Sequence, residues 1–288
     1  MKNFEQSFRD VRLRQRNSEP IDWNQARQDF KESAITNVEA AKNHYFIEKV
    51  IQGINGDDTA AILDYGCGGG ALITRLFFMG YENIQGVDIA DNGRNAEFAS
   101  NIGMGEVFSV YDGKKLPYDD ESFDLIISET VLEHVPNIED YYSEAARVLK
   151  PGGVLIAYFP HRLAPFDTHS RTWFIHYFPK PVRRALYSRF AKQTPDYLES
   201  MLHLRTRRAH IATALKYFER HEDHCAGRLK NYRYRGAYEG NSRLRNLAGK
   251  IMAAPLFGGL AANALSCLAD ADLHFYKAGK NKRTATSD

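Results

Sequence analysis

The segment AAILDYGCGGGALITRLFFMG, residues 60–80, decides the fold of this chain. Four of the five positions 66–70 are glycine, and they separate an apolar run from a run whose apolar residues have helical spacing. A strand, a glycine-rich turn and a helix in this order let a ligand approach the backbone closely. Gly66, Gly68 and Ala71 also satisfy the pattern G-x-G-x-x-A of dinucleotide-binding loops, so the loop alone leaves its ligand open.

Short apolar runs alternate with helical segments on both sides of this loop. The apolar runs are AILDY, NIQGVDI, EVFSVYD, FDLIIS and GGVLIAYF, and the helical segments between them are ALITRLFFM, DNGRNAEFASN and NIEDYYSEAARVL. Because the runs are apolar throughout, both faces of each strand are expected to be covered. This alternation predicts an α/β fold with a parallel sheet, whose ligand lies beyond the carboxyl ends of the strands.

Composition narrows the class of protein. The three cysteines have no C-x-x-C spacing, so we expect neither a disulfide framework nor a structural zinc site. The polar start MKNFEQSFRD predicts no signal peptide, and hence a cytoplasmic protein. Residues 1–159 carry 15 Lys and Arg against 26 Asp and Glu, whereas residues 160–288 carry 23 against 10. This asymmetry predicts an anionic partner for the C-terminal part, unless the basic part covers the acidic one.

Three carboxylates stand at predicted strand ends. Asp64 precedes the first glycine by two positions, where it would repel a pyrophosphate and suits a ligand with an ammonium group. Asp88 ends the second strand and could accept hydrogen bonds from both ribose hydroxyls, as NAD would also require. Asp112 ends the next strand, where it could accept from an adenine amino group.

Four motifs in order carry a resemblance to a known family. ILDYGCGGG, VDIA, YDGKKLPYDDESFDLIISETVLEHV and LKPGGVLIAYFP resemble the class I S-adenosylmethionine-dependent methyltransferases, in the branch with ubiquinone- and menaquinone-biosynthesis enzymes and small-molecule methylases. The resemblance implies a Rossmann-like, seven-stranded, mostly parallel sheet with helices on both faces. ADLHFYKAG would be its antiparallel strand, and N-terminal helices and a C-terminal helical and aromatic acceptor insertion would be added to it.

The resemblance also implies roles for individual residues toward S-adenosylmethionine. Asp64 would lie near the ammonium group, Asp88 would hold the ribose hydroxyls, and Asp112 with Gly113 would hold the adenine. The glycines would let the backbone pass beneath the ligand without Cβ clashes. The predicted cofactor-binding set is Asp64, Gly66, Cys67, Gly68, Gly70, Asp88, Ile89, Asp112, Gly113, Ser128 and Glu129. For the Cys67 side chain, plain turn geometry is the favoured interpretation.

Transfer of a methyl group to oxygen needs a base, and two histidines follow strand ends. His134 lies in LEHV after the fourth strand, and His161 lies in YFPHR after the fifth. A histidine of near-neutral pKa suits this task. We predict both as candidate bases and rank His161 first, because its strand ends at the crevice.

No metal is predicted. Ubiquinone-pathway O-methyltransferases of this fold carry M-E-M-L-E-H-V, in which both glutamates and the histidine are implicated in metal binding. The stretch here is ETVLEHV: Glu133 and His134 match, but Thr130 replaces the first glutamate. The stretch HEDHC, residues 221–225, is metal-like in composition, but as a strand it would divide its side chains between two faces, and a surface edge is favoured.

The composition of the stretch after residue 160 indicates the chemical class of the acceptor. The stretch is rich in cations, which hold phosphate or carboxylate groups, and in aromatic rings, which stack on sugars, rings or prenyl chains. The predicted acceptor-binding residues are Arg162, His169, Arg171, Trp173 and His176. The leading hypothesis is O-methylation of an anionic small molecule, sugar or lipid-linked acceptor. The alternatives are an RNA methyltransferase that uses the basic C-terminal half, and a non-catalytic cofactor-binding regulator.

The predicted organisation has four parts. Residues 1–55 form an N-terminal helical cap, 56–160 the cofactor-binding core, 161–278 the acceptor insertions with the remaining core helix and strands, and 279–288 a disordered tail. The apolar stretch 251–269 is interrupted by Pro and Gly, so a buried or interfacial helix pair is favoured over a membrane span, and peripheral membrane contact is an option. The sequence leaves the oligomeric state open.

Overall fold

The computed structural model describes residues 3–35, 44–91, 94–230, 263 and 266–279. Three helices precede the glycine-rich segment: α1 (Phe4–Arg16), α2 (Trp23–Ile35) and α3 (His44–Gly53). The alternating region follows as β1 (Ile62–Tyr65), α4 (Ala71–Phe78), β2 (Ile84–Asp88), α5 (Asn95–Ile102), β3 (Phe108–Val110), β4 (Phe123–Glu129), α6 (Ile138–Val148) and β5 (Leu149–Phe159). The strands and helices predicted between residues 60 and 160 are therefore present.

A less regular excursion follows β5 before the chain returns to the sheet. Its elements are the hairpin β6 (Phe166–Asp167) and β7 (Thr172–Trp173), a 3₁₀ turn (Ile175–Tyr177), α7 (Lys180–Phe190) and α8 (Pro195–Met201). The last elements are α9 (Arg207–Ala214), β8 (Arg220–Asp223), α10 (Cys225–Lys230), a second 3₁₀ turn (Ser266–Leu268) and β9 (Ala271–Tyr276).

Seven strands form one sheet in the order β3-β2-β1-β4-β5-β9-β8. The pairs among β1 to β5 are parallel, and β9 pairs antiparallel with β5, as predicted for ADLHFYKAG. The first three residues of HEDHC lie in β8, the strand at one edge of the sheet. The order reverses direction at β1 and β4, whose carboxyl ends carry the glycine-rich loop and the ETVLEHV segment. Parallel sheets bind their ligands at such a switch point.

Two apolar clusters cover the two faces of the sheet. One contains Phe4, Phe30 and Phe98, so α1, α2 and α5 lie on the same face. The other contains Tyr142 and Phe275 and brings α6 and α9 onto the opposite face. This double coverage explains why the strands are apolar throughout instead of alternating.

The excursion has a small apolar cluster of its own. Ile175, Tyr187 and Leu198 are buried together, with Leu186, Ala191 and Leu202 packed around them. The chain from residue 162 to 202 therefore forms an ordered unit beside the carboxyl edge of the sheet.

Some sequence predictions fall on residues that the structure does not describe. Most of the apolar stretch 251–269 and all of 280–288 lie outside the described ranges. Among the helices that are described, none combines the length and the apolar character that a bilayer crossing requires.

Candidate active site

The glycine-rich loop turns sharply from β1 into α4. Gly66 has φ +89°, and a Cβ there would lie 2.3 Å from Cγ2 of Val131. Gly70 has φ +79°, and a Cβ there would lie 2.3 Å from Cζ of Phe108. Both positions combine a left-handed backbone with a close neighbour, which only glycine accommodates. The contact with Val131 also brings the segment after β4 against the loop.

Asp88 links the loop to the end of β2. Its Oδ2 accepts from the Gly68 N–H at 2.8 Å, and its Oδ1 accepts from the Ile89 N–H at 2.7 Å. The Ile89 side chain is exposed, and its Cγ2 lies 3.7 Å from a Cβ built on Gly113. Ile89 and Gly113 thus border one apolar surface beside Asp88, where a nucleoside could lie between ribose and adenine contacts.

Asp112 begins a turn at the same edge. Its Oδ1 accepts from the Lys115 and Lys114 N–H groups at 3.0 and 2.8 Å, and these bonds lower the pKa of Asp112. The bonds hold the carboxylate in its ionised, accepting form.

Asp64 is buried at the end of β1. Burial, together with the charges of Glu129 and Asp88, raises the pKa of Asp64 to about 8. A cation beside Asp64 would offset these effects, and the ammonium group of S-adenosylmethionine is such a cation. Ser128 is buried and Glu129 is partly exposed at the adjoining end of β4.

Cys67 turns its side chain toward the sheet. Its Sγ lies 3.0 Å from a Cβ built on Gly86 of β2, and burial raises the pKa of the thiol. This placement agrees with the interpretation of the Cys67 side chain as a part of the turn.

Arg12 of α1 supports the loop from outside the core motifs. It is buried, and its Nη2 donates to Oδ1 of Asn95, whose Nδ2 donates to the Gly68 carbonyl at 2.8 Å. Its guanidinium lies 4.6 Å from the centre of the Phe98 ring. Arg12 was not predicted as a site residue. The run VRLRQR gave no sign that one of its arginines is buried.

His134 and His169 meet at the carboxyl edge. Nε2 of His134 lies 3.3 Å from Nε2 of His169. His134 Nδ1 is 2.9 Å from the Met201 carbonyl oxygen, and His169 Nδ1 is 3.3 Å from Asp167 Oδ1. A carbonyl and a carboxylate can only accept, so both Nδ1 atoms carry the proton and the two Nε2 lone pairs face each other. A proton taken up between them would form a hydrogen bond that the neutral pair lacks.

Asp167 contacts His169, the member of the pair that lies on the hairpin. It is buried, which works against its charge, but hydrogen bonds from His169, His176 and Ser170 lower the pKa of Asp167 well below its ordinary value. A buried carboxylate beside His169 stabilises a positive charge on the histidine pair. The pair is therefore suited to accept a proton, although burial lowers the pKa of His134 itself.

Glu133 is the third member of this cluster. It is 1% exposed, neither of its carboxylate oxygens has a hydrogen-bond partner among the described residues, and burial raises the pKa of Glu133 to about 8. Glu133, His134 and His169 each offer one ligand atom within 4.8 Å of the others, so the three could hold a cation. The sequence argument against a metal relied on Thr130 and did not foresee that His169 would join the other two.

His161 occupies a different environment. It is 1% exposed, its Nε2 lies 2.8 Å from the Ala269 carbonyl oxygen, and its Nδ1 accepts from the Leu163 N–H at 3.2 Å. Both ring nitrogens are thus engaged, and no lone pair is left for a substrate proton. The geometry favours His134 over His161 as the base, in reverse of the ranking made from the sequence.

A cavity of about 440 Å³ opens on the excursion. Cations, one carboxylate and apolar side chains line it: Arg162, His176, Phe178, Pro179, Lys180, Arg183, Tyr187, Leu198, Glu199, Leu202 and Leu204. His176 also lies 3.6 Å from Asp167, so the cavity adjoins the histidine pair.

The predicted acceptor-binding residues separate into three groups. Arg162 and His176 line the cavity, and His169 joins His134. Arg171 and Trp173 lie on the exposed hairpin, away from the cavity lining. Lys180, one of the cations of the basic, aromatic stretch after residue 160, also lines the cavity, together with Arg183, which was not predicted individually.

Comparison with known proteins agrees with this geometry. Residues 63–157 match the family model described as "Methyltransferase domain". A ubiquinone biosynthesis O-methyltransferase of Rickettsia prowazekii is 27% identical over 162 residues, 53% of this chain and 57% of that protein. A sterol 4-C-methyltransferase of Caenorhabditis elegans is 36% identical over 101 residues, 33% of this chain and 30% of that protein. The chain thus spans only about half the length of the curated relatives it matches.

One solved structure shares the fold over nearly the whole chain. An S-adenosylmethionine-dependent methyltransferase from Mesorhizobium loti is 17% identical with a TM-score of 0.51, and covers 84% of this chain and 100% of that one. The sheet order and the glycine-rich loop with Asp64 and Asp88 are consistent with the matched methyltransferase domain. Residues 63–157 therefore match a methyltransferase domain, and the fold around them resembles that of the class I S-adenosylmethionine-dependent methyltransferases.

Proposed function

We propose that this protein transfers the methyl group of S-adenosylmethionine to an oxygen atom of an anionic small molecule, sugar or lipid-linked acceptor. The observation that carries the proposal is the position of the basic cavity next to the His134–His169 pair. Asp167 joins the two, because one of its oxygens contacts His169 and the other contacts His176 of the cavity wall.

When bound, the cofactor would supply a methyl carbon to an oxygen nucleophile that attacks in line. The O–C bond forms as the C–S bond breaks, and S-adenosylhomocysteine is the leaving group. The chain's part in this reaction is to position the two reactants and to remove a proton. Asp64, Asp88 and the backbone of residues 66–70 would hold the cofactor at the carboxyl edge of the sheet. Because Val131 packs on Gly66, the cluster that follows it in sequence lies next to that site.

Proton removal is assigned to His134. Its Nε2 carries the lone pair, and its Nδ1–H is fixed by the Met201 carbonyl. An acceptor hydroxyl that donates to this lone pair becomes a better nucleophile as the proton moves. His169 then shares the charge, and Asp167 stabilises it.

The cavity selects an anionic acceptor. Arg162, Lys180 and Arg183 lie on its wall, and Glu199 offsets part of their charge, at 3.5 Å from Lys180 and 3.8 Å from Arg183. An arginine fork is well suited to a phosphate or carboxylate. The apolar wall of Leu198, Leu202 and Leu204 would take a hydrocarbon part of the same molecule.

The test is a search for the acceptor. The full chain is incubated with S-adenosylmethionine carrying a deuterated methyl group and with metabolite, glycan and lipid extracts. The expected result is a single class of anionic product that gains a labelled methyl group on oxygen. The Arg183→Gln variant, which keeps the cofactor site, should need more acceptor for the same rate.

The alternatives give different results. Labelled RNA, with a rate that falls steeply as salt is added, would replace the proposal by an RNA methyltransferase. Tight binding of S-adenosylhomocysteine without turnover on any extract would favour a cofactor-binding regulator. The cytoplasmic location stays a prediction.

A further inference from the structure

We infer that the excursion after β5 docks on the surface of an anionic lipid bilayer through an aromatic tip formed by Trp173, Phe174 and Tyr177. The inference deepens the proposed function, because it places a lipid-linked acceptor within reach of the cavity. Its first test measures binding alone and is separate from methyl transfer.

Exposed apolar and aromatic side chains concentrate on this unit. Of the thirteen exposed large hydrophobic side chains among the described residues, eight lie between Leu163 and Tyr197. Trp173 and Phe190 are each 60% exposed, and Phe174 is 52% exposed. Isolated apolar residues are ordinary on a protein surface, but a concentration of this kind marks an interaction site.

The fold holds the aromatic tip outward. Arg171 and Phe174 both have positive φ, 57° and 58°, which non-glycine residues adopt only where the surrounding structure imposes it. The Tyr177 hydroxyl donates to the Leu163 carbonyl at 2.6 Å. Trp173 packs on Phe166 with ring centres 5.1 Å apart. The exposed rings are therefore fixed in place and do not belong to a loose loop.

The charge around the tip is complementary to anionic lipid. Residues 171–192 contain six Lys and Arg and no Asp or Glu. Lysine and arginine near an anionic leaflet attract it, while Trp and Tyr settle at the boundary between headgroups and acyl chains. Acidic partners from α8 offset part of this charge, because Arg184 pairs with Asp196 and Glu199.

A bilayer fits this surface better than a nucleic acid. Exposed aliphatic side chains, Leu163 and Val182, stand among the aromatic ones and have no partner on a base or a phosphate. They gain free energy when they leave water for the acyl region. His176 and Phe178, which flank Tyr177 in the sequence, belong to the cavity lining, so a docked tip would bring that part of the cavity wall toward the membrane surface.

Trp173 itself provides the test. The chain contains two tryptophans, and Trp23 packs against Phe98 inside the fold, so the Trp23→Phe variant leaves Trp173 as the single emitter. Vesicles of phosphatidylcholine with phosphatidylglycerol should shift its emission to shorter wavelength, and lipids brominated on the acyl chains should quench it. Phosphatidylcholine alone should have little effect, and added salt should weaken the response.

A second variant separates docking from folding. Trp173→Ser with Phe174→Ser should lower co-sedimentation with the anionic vesicles at least tenfold and leave S-adenosylhomocysteine affinity unchanged. Leu215→Ser, at an exposed leucine outside the unit, is the matched control and should co-sediment as the original chain does.

Several results would overturn the inference. One is an unchanged Trp173 emission with anionic vesicles; another is equal co-sedimentation of the double variant and the original chain. An emission shift caused by RNA or by protein concentration alone, in the absence of any effect of vesicles, would assign the tip to a nucleic acid or to a second copy. Failure of methyl transfer to a lipid-linked acceptor, with vesicle binding intact, would contradict only the proposed function.

Discussion

Nε2 of His134 lies 3.3 Å from Nε2 of His169, although 35 positions separate the two residues in the chain. One histidine follows a core strand and the other stands on a hairpin of the excursion. The proposed base and the proposed acceptor-binding unit are therefore in direct contact. A change in the excursion that moves His169 would alter chemistry as well as specificity.

His134→Ala should lower kcat by about 10²–10⁴-fold with the acceptor that the extract search yields, because it removes the proposed proton acceptor. S-adenosylhomocysteine affinity, measured by calorimetry, should be unchanged. The double variant His134→Ala/His169→Ala should be no slower than His134→Ala, since the two residues act as one unit. Additive losses would show that they act separately, and His221→Ala on the edge strand serves as the control.

His161→Ala should act on stability. The substitution leaves the Ala269 carbonyl and the Leu163 N–H without their partner in a buried site, at a cost of about 1–3 kcal/mol in the free energy of unfolding. Denaturant unfolding measures this cost, and kcat of the folded protein should change little. A stable variant that has lost its turnover would restore His161 as the base.

Turnover should survive dialysis against a chelator. Both Nδ1–H groups of the pair have acceptors, and the two Nε2 atoms can take a proton without a cation. Rates before and after treatment, with metal content by mass spectrometry, provide the measurement. If activity disappears and one divalent ion restores it, Glu133, His134 and His169 would be assigned as its ligands.

Asp88→Ala should weaken S-adenosylhomocysteine binding by about 1–3 kcal/mol, because ribose hydroxyls and the Gly68 N–H lose their acceptor. Calorimetry gives the affinity directly. Asp119→Ala, at an exposed carboxylate outside the predicted cofactor set, is the control. Equal affinities for the Asp88 variant and the original chain would contradict the cofactor assignment.

Cofactor affinity should rise with pH through Asp64. Its pKa in the unliganded protein is raised to about 8, so the carboxyl group carries a proton near neutral pH. An ammonium group beside it favours the carboxylate, and binding releases that proton. Affinity for S-adenosylhomocysteine should therefore increase from pH 6 toward about pH 8 and then level off.

The Asp64→Asn variant should show a flatter pH profile in the same range. The folded state of the unliganded original chain binds the Asp64 proton more tightly than the unfolded state does. Its free energy of unfolding should therefore decrease as the pH rises from the ordinary pKa of an aspartate toward about 8. Parallel profiles for the two proteins would exclude Asp64 as the titrating group.

The core could be predicted from the sequence because its signals are local. Strand periodicity, the glycines at 66–70 and the acids at strand ends are read within a few positions of each other, and the topology brings them to one edge. The histidine pair could not be predicted in this way. His169 meets His134 only because the excursion folds back on the carboxyl edge, and no local pattern encodes that return.

Burial also escaped the sequence analysis. His161 was ranked first because its strand ends at the crevice, but both of its ring nitrogens form hydrogen bonds with backbone groups. Arg12 looked like any solvated arginine of an N-terminal helix, yet it is 5% exposed beneath the loop. The bond of His161 to the Ala269 carbonyl and that of Arg12 to Asn95 depend on tertiary packing, which periodicity does not report.

The chain of contacts from Arg12 through Asn95 to the Gly68 carbonyl connects the first helix to the loop predicted to bind the cofactor. A ligand that stabilises the loop in its bound form also favours docking of that helix. By thermodynamic reciprocity, docking of the helix strengthens ligand binding. Removal of the first helix should therefore lower the affinity for the cofactor. Protease cleavage ahead of residue 17 should slow when S-adenosylhomocysteine is added.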